Sequence, residues 1–183
     1  YNFALPPLLL HAMHTADSSL LQAWASSLRA PSAQTTFFNF TASHDGIGVL
    51  PVADLLSQEE IDQLCARVIE HGGRVNYRRT GEGSRPYEIN ATYFDAVSHP
   101  DMPVDLAVDR FIVTQAIMLA LAGVPGIYLS SLIGARTWHD GAARTHHNRE
   151  NNRERFPRDR VERDLRDPWT RESKVFARYV ELL

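Results

Sequence analysis

The residues best suited to chemistry are the adjacent pair His44 and Asp45, which end an apolar, β-prone run and precede Gly46. Barrel enzymes carry their catalytic residues at the carboxyl ends of their strands, around the mouth of a pocket, and two neighbouring polar residues at the end of a strand fit this pattern. The pair therefore predicts an enzyme-like polar site. The alternative is a simple turn, in which Asp45 caps the chain before Gly46 and His44 is a strand-end histidine with a structural hydrogen bond.

Two groups of histidines have spacings that could suit a metal ion. His11 and His14 are three residues apart on a predicted helix. The second group consists of His139, Asp140, His146 and His147. Neither group comes with a cysteine cluster or a His-Glu-x-x-His frame, so we expect no bound metal.

The composition is that of a chain able to bury a core. Its 183 residues are 44% apolar, the formal net charge is −3, and Cys65 is the single cysteine. This charge gives no reason to expect nucleic acid or a membrane surface as a partner, and no apolar run approaches the roughly 20 residues that cross a bilayer. The chain begins at Tyr1 without an initiator methionine or a signal pattern, so we interpret this end as an internal cut and expect a cytoplasmic location.

The spacing of apolar residues predicts helices that alternate with two short strands. Pro6 and Pro7 can open the first helix, and Pro31 should end it. A capping box at 57–60 starts the second helix, and Gly123 should cap the third. The helices are predicted at 8–13 with 18–28, 57–71, 104–122 and 169–183. The strands are predicted at 35–40, which is apolar enough to be buried on both faces, and at 124–129, which is nearly all apolar.

Two segments are expected to lie outside this alternation. A hairpin-like excursion is predicted at about 72–100, with short strands at 74–79 and 87–91 joined by a loop at 80–84. A long, charge-dense loop is predicted at about 130–168. The hairpin would lie beside the alternating strands and helices rather than form a core layer.

The order of strands and helices implies right-handed βα units and a parallel sheet, so the predicted fold class is α/β. Two parallel strands cannot bury both faces or close a barrel. Either a partner chain completes the sheet or the chain is part of a longer polypeptide. Because an exposed strand edge invites pairing with another chain, a homodimer is one way to cover it.

Four segments resemble glycoside hydrolase family 13, the α-amylase superfamily, in the order in which that family has them. The run His-Asp-Gly-Ile-Gly at 44–48 is similar in form to the sucrose phosphorylase subfamily, and the other matching segments are 1–8, 87–96 and 123–128. The resemblance implies that the predicted strands are the seventh and eighth of a (β/α)8 barrel, of which the chain is the C-terminal portion. It also implies a retaining mechanism whose aspartate nucleophile and glutamate acid/base lie upstream of Tyr1.

The same resemblance assigns roles to the polar pair. In the family, the aspartate at the position of Asp45 binds two hydroxyl groups of the sugar at the cleavage site and stabilises the oxocarbenium-like transition state. The histidine at the position of His44 donates a hydrogen bond to the same sugar and orients it. Asp45 is therefore a predicted catalytic residue and His44 a predicted substrate-binding residue.

By resemblance, Tyr87 and Glu88 belong to a mobile loop that carries the determinants of the acceptor site. The family's tyrosine at the position of Tyr87 can contact phosphate. Sucrose phosphorylases follow that tyrosine with glutamine, whereas a Tyr-Glu pair resembles the branch of glucosylglycerate phosphorylases. Both residues are predicted to bind substrate. The alternative is a solvated loop with a surface tyrosine.

Arg149 resembles the family's arginine that lies near the cleavage-site sugar and its neighbouring carboxylates, a place that suits a planar, permanently charged group. We predict that it binds substrate. The surrounding segment departs from the family pattern at Trp138, at His146 and His147, and at Asn151, where isoleucine is usual. The alternative is a solvated run of alternating charges.

These features lead to a hypothesis about function. The chain is predicted to be part of a retaining α-glucoside phosphorylase, which transfers a glucosyl unit to inorganic phosphate without a cofactor and releases α-glucose 1-phosphate. The isolated chain would be inactive, because the nucleophile and the acid/base lie elsewhere. The alternatives are a hydrolase or transglycosylase of the same superfamily, and an inactive remnant that only binds sugar.

Overall fold

A computed structural model describes residues 1–30, 32–81 and 83–183. Pro31 and Glu82, which the predicted helix end and the predicted hairpin loop include, lie outside the described residues. The helices are α1 (Leu5–Thr15), α2 (Ser19–Ser27), α3 (Gln58–Glu70), α4 (Tyr93–Val97), α5 (Val104–Ala120), α6 (Leu129–Leu132), α7 (His139–Thr145), α8 (Arg158–Arg166) and α9 (Arg171–Leu182). The strands are β1 (Phe38–Phe40), β2 (Ile47–Gly48), β3 (Arg74–Thr80), β4 (Gly83–Asn90) and β5 (Val124–Gly126), and 3-10 turns lie at Leu50–Val52 and Asn148–Asn152.

Strands β1 and β5 pair in parallel, with Asn39 opposite Pro125. The parallel pairing and the intervening helices agree with the predicted α/β class. Asn39 is buried and holds the pair in place, because its amide donates to the carbonyl of Ala122 over 3.2 Å and accepts from the Asn2 amide over 3.0 Å. Gly123 does not cap α5, which ends at Ala120. It has φ +141°, and a Cβ there would lie 2.6 Å from the Phe37 carbonyl oxygen.

The prediction that the strand at 35–40, which is β1, is buried on both faces is wrong. Its Asn39 face packs on the helices, but Phe38 is 39% exposed on the other face and Phe40 is only half-buried. Tyr1 and Phe3 join these two rings, with centroid distances of 5.5 Å for Tyr1–Phe38 and 5.4 Å for Phe3–Phe40. We call Tyr1, Phe3, Phe38 and Phe40 the aromatic face.

Strands β2, β4 and β3 form an antiparallel sheet in that order. The hairpin of β3 and β4 is longer than predicted, and the two-residue strand β2 escapes detection because it is too short for a periodic pattern. The end of β4 is not an excursion, since Ile89 is fully buried in the core. The hairpin is therefore anchored to the core next to the segment that follows β1.

The core lies between the helices and the sheets. Leu8, Leu9 and Leu10 of α1 are buried there, together with Phe111 of α5 and Tyr179 of α9. The capping box of α3 is confirmed, because the Ser57 hydroxyl accepts from the Glu60 amide and the Glu60 carboxylate accepts from the Ser57 amide. On α9 only some of the apolar side chains are buried. Val175 and Tyr179 are buried, whereas Phe176 is 37% exposed and Val180 is 64% exposed.

The segment predicted as a long loop at 130–168 differs from the prediction, because α7, α8 and a 3-10 turn lie within it. Helix α8 buries no residue. Ion pairs one turn apart stabilise it instead, with Arg158 2.6 Å from Glu162 and Arg166 3.3 Å from the same carboxylate. Its apolar stripe consists only of Val161 and Leu165, which are one turn apart and half-buried, so its sequence gives a weak helical signal.

Across the described ranges, no helix is both long enough and apolar enough to cross a bilayer. The cytoplasmic location stays a prediction.

Candidate active site

Four of the five predicted site residues meet where the chain leaves β1. His44 and Asp45 lie in the turn that follows this strand, and the Asp45 amide donates to the Ser43 hydroxyl over 3.1 Å. Glu88 comes from β4 and Arg149 from the 3-10 turn at Asn148–Asn152. Residues 44, 88 and 149 are far apart in sequence, so the fold alone brings them together.

Arg149 lies between two carboxylates. Its Nε and Nη2 atoms donate to Glu88 Oε2 and Oε1 over 3.1 and 2.8 Å, and its Nη1 atom lies 2.9 Å from Asp45 Oδ1. The hydrogen bond to Glu88 is the largest cause of a raised pKa for Arg149, to which the charge of Asp45 adds. A planar guanidinium that bridges two carboxylates fixes both of them and stays charged at any physiological pH.

A second arginine, Arg153, also holds the polar pair. Its Nη2 atom lies 3.3 Å from Asp45 Oδ1, and its Nε atom donates to the main-chain oxygen of His44 over 2.9 Å. Arg153 is not among the residues that the sequence predicts for the site. Its spacing of four residues from Arg149 was the available signal, since such a spacing can present both cations to one carboxylate.

The polar pair remains open to solvent at the edge of a cavity of about 360 Å³. The His44 and Asp45 side chains are 67% and 40% exposed, and His44 Nε2 lies 3.7 Å from Asp45 Oδ1. The cavity is lined by the aromatic face, the segment 42–45, Gly126, Ile127 and Tyr128. A mostly apolar cavity with a few convergent polar groups is typical of a small-molecule site.

Tyr87 is the fifth predicted site residue, and it occupies an irregular place on β4. Asn76 of β3 pairs with Glu88 and Tyr77 pairs with Pro86, so Tyr87 is the extra residue of a β-bulge. It is half-buried. Bulges occur beside active sites because they redirect a side chain out of the regular alternation of the strand.

The segment that carries Arg149 is tied to the rest of the site through its neighbours. Asn152 donates to the Asp45 main-chain oxygen over 3.1 Å and accepts, through its own carbonyl, from the Tyr128 hydroxyl over 3.0 Å. Asn151, a departure from the family pattern, is fully buried and donates to the Asn90 main-chain oxygen over 3.0 Å. This asparagine therefore links the 3-10 turn to the end of β4.

A buried carboxylate anchors the chain just before this segment. Asp95 of α4 accepts from Arg136 Nη1 and from the Thr137 amide, each over 2.7 Å. Thr137 also bonds the Thr92 amide through its hydroxyl over 3.1 Å. Asp95 is not among the predicted site residues, although it lies in the family-like segment 87–96. Its contacts hold residues 136–138 against α4 and so fix the start of α7.

Among the described residues, no three His, Cys, Asp or Glu side chains are grouped in a way that could hold a metal ion.

Comparison with known proteins relates the whole chain to one group of enzymes. It is 46% identical to a glucosylglycerate phosphorylase from Allomeiothermus silvanus and 40% identical to one from Escherichia coli, in each case over 100% of this chain and 33% of the relative. A sucrose phosphorylase from Bifidobacterium adolescentis is 25% identical over 98% of the chain. The chain is a homologue of the glucosylglycerate phosphorylases and, more distantly, of the sucrose phosphorylases. No family model matches it.

The fold agrees with this relationship. The crystal structure of sucrose 6F-phosphate phosphorylase from Thermoanaerobacter thermosaccharolyticum matches the whole chain with a TM-score of 0.82, at 20% identity and over 35% of that enzyme's chain. The resemblance inferred from the four sequence segments is thereby confirmed. The chain spans about one third of the length of the curated relatives that it matches.

Proposed function

We propose that the chain is the part of a (β/α)8 barrel that contains the seventh and eighth strands of a retaining α-glucoside phosphorylase, with glucosylglycerate as the donor. The observation that carries the proposal is the bridge from Arg149 to Asp45 at the edge of the aromatic-lined cavity, beyond the carboxyl end of β1. Parallel-strand enzymes keep their active sites at this end of their strands. The names of the relatives supply the substrate.

In this reaction Asp45 and His44 hold the glucosyl ring in the cavity. Asp45 would accept hydrogen bonds from two sugar hydroxyl groups, and these bonds strengthen as positive charge develops on the ring. Arg149 and Arg153 fix the Asp45 carboxylate through its Oδ1 atom, while its exposed part faces the cavity. The chain thus contributes binding and charge stabilisation at the cleavage site.

The bonds are made and broken by groups from the rest of the polypeptide. In the first step, an aspartate forms a bond to the anomeric carbon while the glycosidic bond breaks, and a glutamate gives its proton to the departing glycerate hydroxyl group. In the second step, a phosphate oxygen replaces the aspartate, and the glutamate takes up the proton that the phosphate loses. The product is α-glucose 1-phosphate, no cofactor is needed, and phosphate is the co-substrate.

The exposed aromatic face supports a place within a larger barrel. Phe38 and Phe40 project from the parallel strands on the side that the helices leave open. Side chains on this side of a closed barrel pack in layers against those of the other strands. The relatives are about three times as long as the chain, so their remaining two thirds provide enough residues to cover this face. A homodimer is the other way to cover it.

The function is tested with a chimera in which this chain replaces the matching third of the Allomeiothermus silvanus glucosylglycerate phosphorylase. We expect the chimera to release glucose 1-phosphate from glucosylglycerate only when phosphate is present, and we expect the isolated chain to release none. Phosphate-independent release of glucose would indicate a hydrolase. A folded chimera that binds glucosylglycerate without turnover would indicate an inactive remnant, and either result would overturn the proposal.

A further inference from the structure

The Glu88 carboxylate is buried in a complete set of polar contacts. The residue is 5% exposed. Beyond the two bonds from Arg149, its Oε2 atom accepts from the Asn76 amide over 2.9 Å and from the Asn90 amide over 3.5 Å. A carboxylate that has left water needs partners of this kind, and here a permanent cation and two amides supply them.

These contacts determine how the Arg149 guanidinium is oriented. Glu88 engages the Nε and Nη2 edge of the group, so Nη1 is the atom directed at Asp45. Because the guanidinium is rigid and planar, fixing one edge fixes the direction of the third nitrogen. The Arg149 side chain is 35% exposed, so without Glu88 it has room to adopt other rotamers.

Asn76 of β3 also helps to hold the segment that carries Arg149. Asn76 receives a hydrogen bond from the Asn148 amide over 2.7 Å, and Asn148 in turn accepts from Arg74 Nη1 over 3.4 Å. Asn148 is the residue immediately before Arg149. The hairpin therefore holds both the carboxylate that orients Arg149 and the turn that carries it.

We propose that Glu88 is a positioning residue for the glucosyl subsite: it holds Arg149 so that Nη1 stays on Asp45, with Asn76 as its support. This inference rests on the proposed function. It gives Glu88 a role different from the direct acceptor contact that the sequence predicts. A buried positioning residue affects every reaction that passes through the glucosyl subsite, whereas an acceptor contact affects only reactions that use the acceptor.

The two roles are separated with Glu88→Gln in the chimera and two donors. The amide nitrogen of the new side chain cannot accept an N–H bond from Arg149, so the orientation of the guanidinium is lost at almost constant volume. We measure kcat and KM for phosphorolysis of glucosylglycerate and for consumption of α-glucosyl fluoride, whose leaving group is a single atom. We expect kcat/KM to fall by the same factor for both donors, about 10²-fold, since a misplacement of about 1 Å has an effect of this size.

Two further variants are compared with Glu88→Gln. Asn76→Ala should give a smaller loss that is again equal for the two donors. Glu70→Gln is the matched control, because it removes an exposed carboxylate that pairs with Arg67 on α3. Glu70 is far from Asp45 in the sequence and lies on another element. With this variant, both donors should react at the rate of the parent chimera.

The results distinguish the two proposals. An inactive parent chimera contradicts the proposed function, and the positioning role is then decided by crystal structures of the parent and the Glu88→Gln chimera. The role requires that the substitution move Nη1 of Arg149 away from Asp45 Oδ1. An unchanged Arg149 overturns the inference, and so does an active chimera in which Glu88→Gln impairs glucosylglycerate while α-glucosyl fluoride reacts normally.

Discussion

Gly46 lies so close to Glu88 that a Cβ atom built on the glycine would be 2.5 Å from Glu88 Cγ and 2.5 Å from the Ile89 carbonyl oxygen. The absence of a side chain at position 46 lets the turn that carries His44 and Asp45 pack directly on β4. This contact explains why the polar pair and the carboxylate that supports Arg149 share one site. Gly46 therefore sets a distance within the site, in addition to forming a turn.

The first prediction concerns this close approach. Gly46→Ala forces the turn and β4 apart, because one of the two nearest atoms belongs to the backbone. We expect the free energy of unfolding of the chimera to fall by about 1–3 kcal/mol, the usual range for overpacking, and the activity to fall with it. Gly48→Ala is the matched control, since its Cβ would meet only Pro51 Cδ at 3.7 Å. Urea denaturation measures the free energy of unfolding of both variants. An equal loss of stability in the two variants would contradict the close approach at Gly46.

The second prediction concerns Asp45. Asp45→Asn removes the negative charge that would stabilise the glucosyl transition state and leaves a side chain of the same shape. We expect kcat for glucosylglycerate phosphorolysis by the chimera to fall by about 10²–10³-fold or more, the range for loss of one preorganised electrostatic contact. The melting temperature should change little. Asp54→Asn, at an exposed position between the 3-10 turn at Leu50–Val52 and α3, is the control. Near-normal turnover in Asp45→Asn would remove the residue from its assigned role.

Sequence reasoning predicts the frame of this site better than its contacts. The capping box of α3 could be predicted because its signal is local. The parallel pair of β1 and β5 could be predicted from the order in which strands and helices alternate. The bond between Arg149 and Glu88 could not be predicted from the chain. It requires a 3-10 turn, which has no periodic apolar pattern, to pack on a hairpin, and the two bonded residues are 61 positions apart. The resemblance to a family supplied Asp45 and Arg149, but their orientation follows from tertiary contacts.

The bulge at Tyr87 was also beyond the sequence, and for Arg153 the sequence gives only a weak signal, its spacing of four residues from Arg149. A bulge depends on how β3 and β4 pair, and here the shift at Asn76 and Tyr77 creates it. Arg153 lies in a region where arginines and acidic residues alternate, so its charge alone does not distinguish it from a solvated surface. The contacts of its guanidinium with Asp45 and with the His44 main-chain oxygen are what distinguish it.

The third prediction concerns the pH dependence of stability. Burial lowers the pKa of His14 from 6.5 to about 4, with the charges of His71, Arg67 and Arg110 acting in the same direction and the Ala96 carbonyl opposing it. Burial also lowers the pKa of His71, whose ring meets that of His14 edge to face with the centroids 5.5 Å apart. The folded state thus favours the neutral imidazole, while the unfolded state takes up a proton below pH 6.5. Stability from this group is complete above pH 6.5 and is lost as the pH falls towards 4.

The test compares urea unfolding of the chimera at pH 7 and pH 5. His14→Gln keeps a neutral side chain that can reach the Ala96 carbonyl oxygen, which lies 2.8 Å from His14 Nε2. We expect this variant to lose less stability between the two pH values than the parent does. His147→Gln, at an exposed position, should leave the pH dependence of the parent unchanged. An unaltered pH dependence in His14→Gln would show that the buried imidazole does not govern acid sensitivity.

The fourth prediction uses the two histidines that depart from the family pattern after α7. His146 has φ 56° and ψ 25°, a left-handed conformation that a residue with a Cβ adopts at a cost of about 1–2 kcal/mol, whereas His147 has φ −116° and ψ 111°, which any residue adopts. Glycine should therefore have opposite effects at neighbouring positions. We expect His146→Gly to raise the free energy of unfolding of the chimera by about 1 kcal/mol, because it removes the cost at the end of the helix. His147→Gly should lower it by about 0.5–1 kcal/mol, because it adds freedom only to the unfolded chain. Two changes of the same sign in urea denaturation would mean that the left-handed residue does not end α7 in solution.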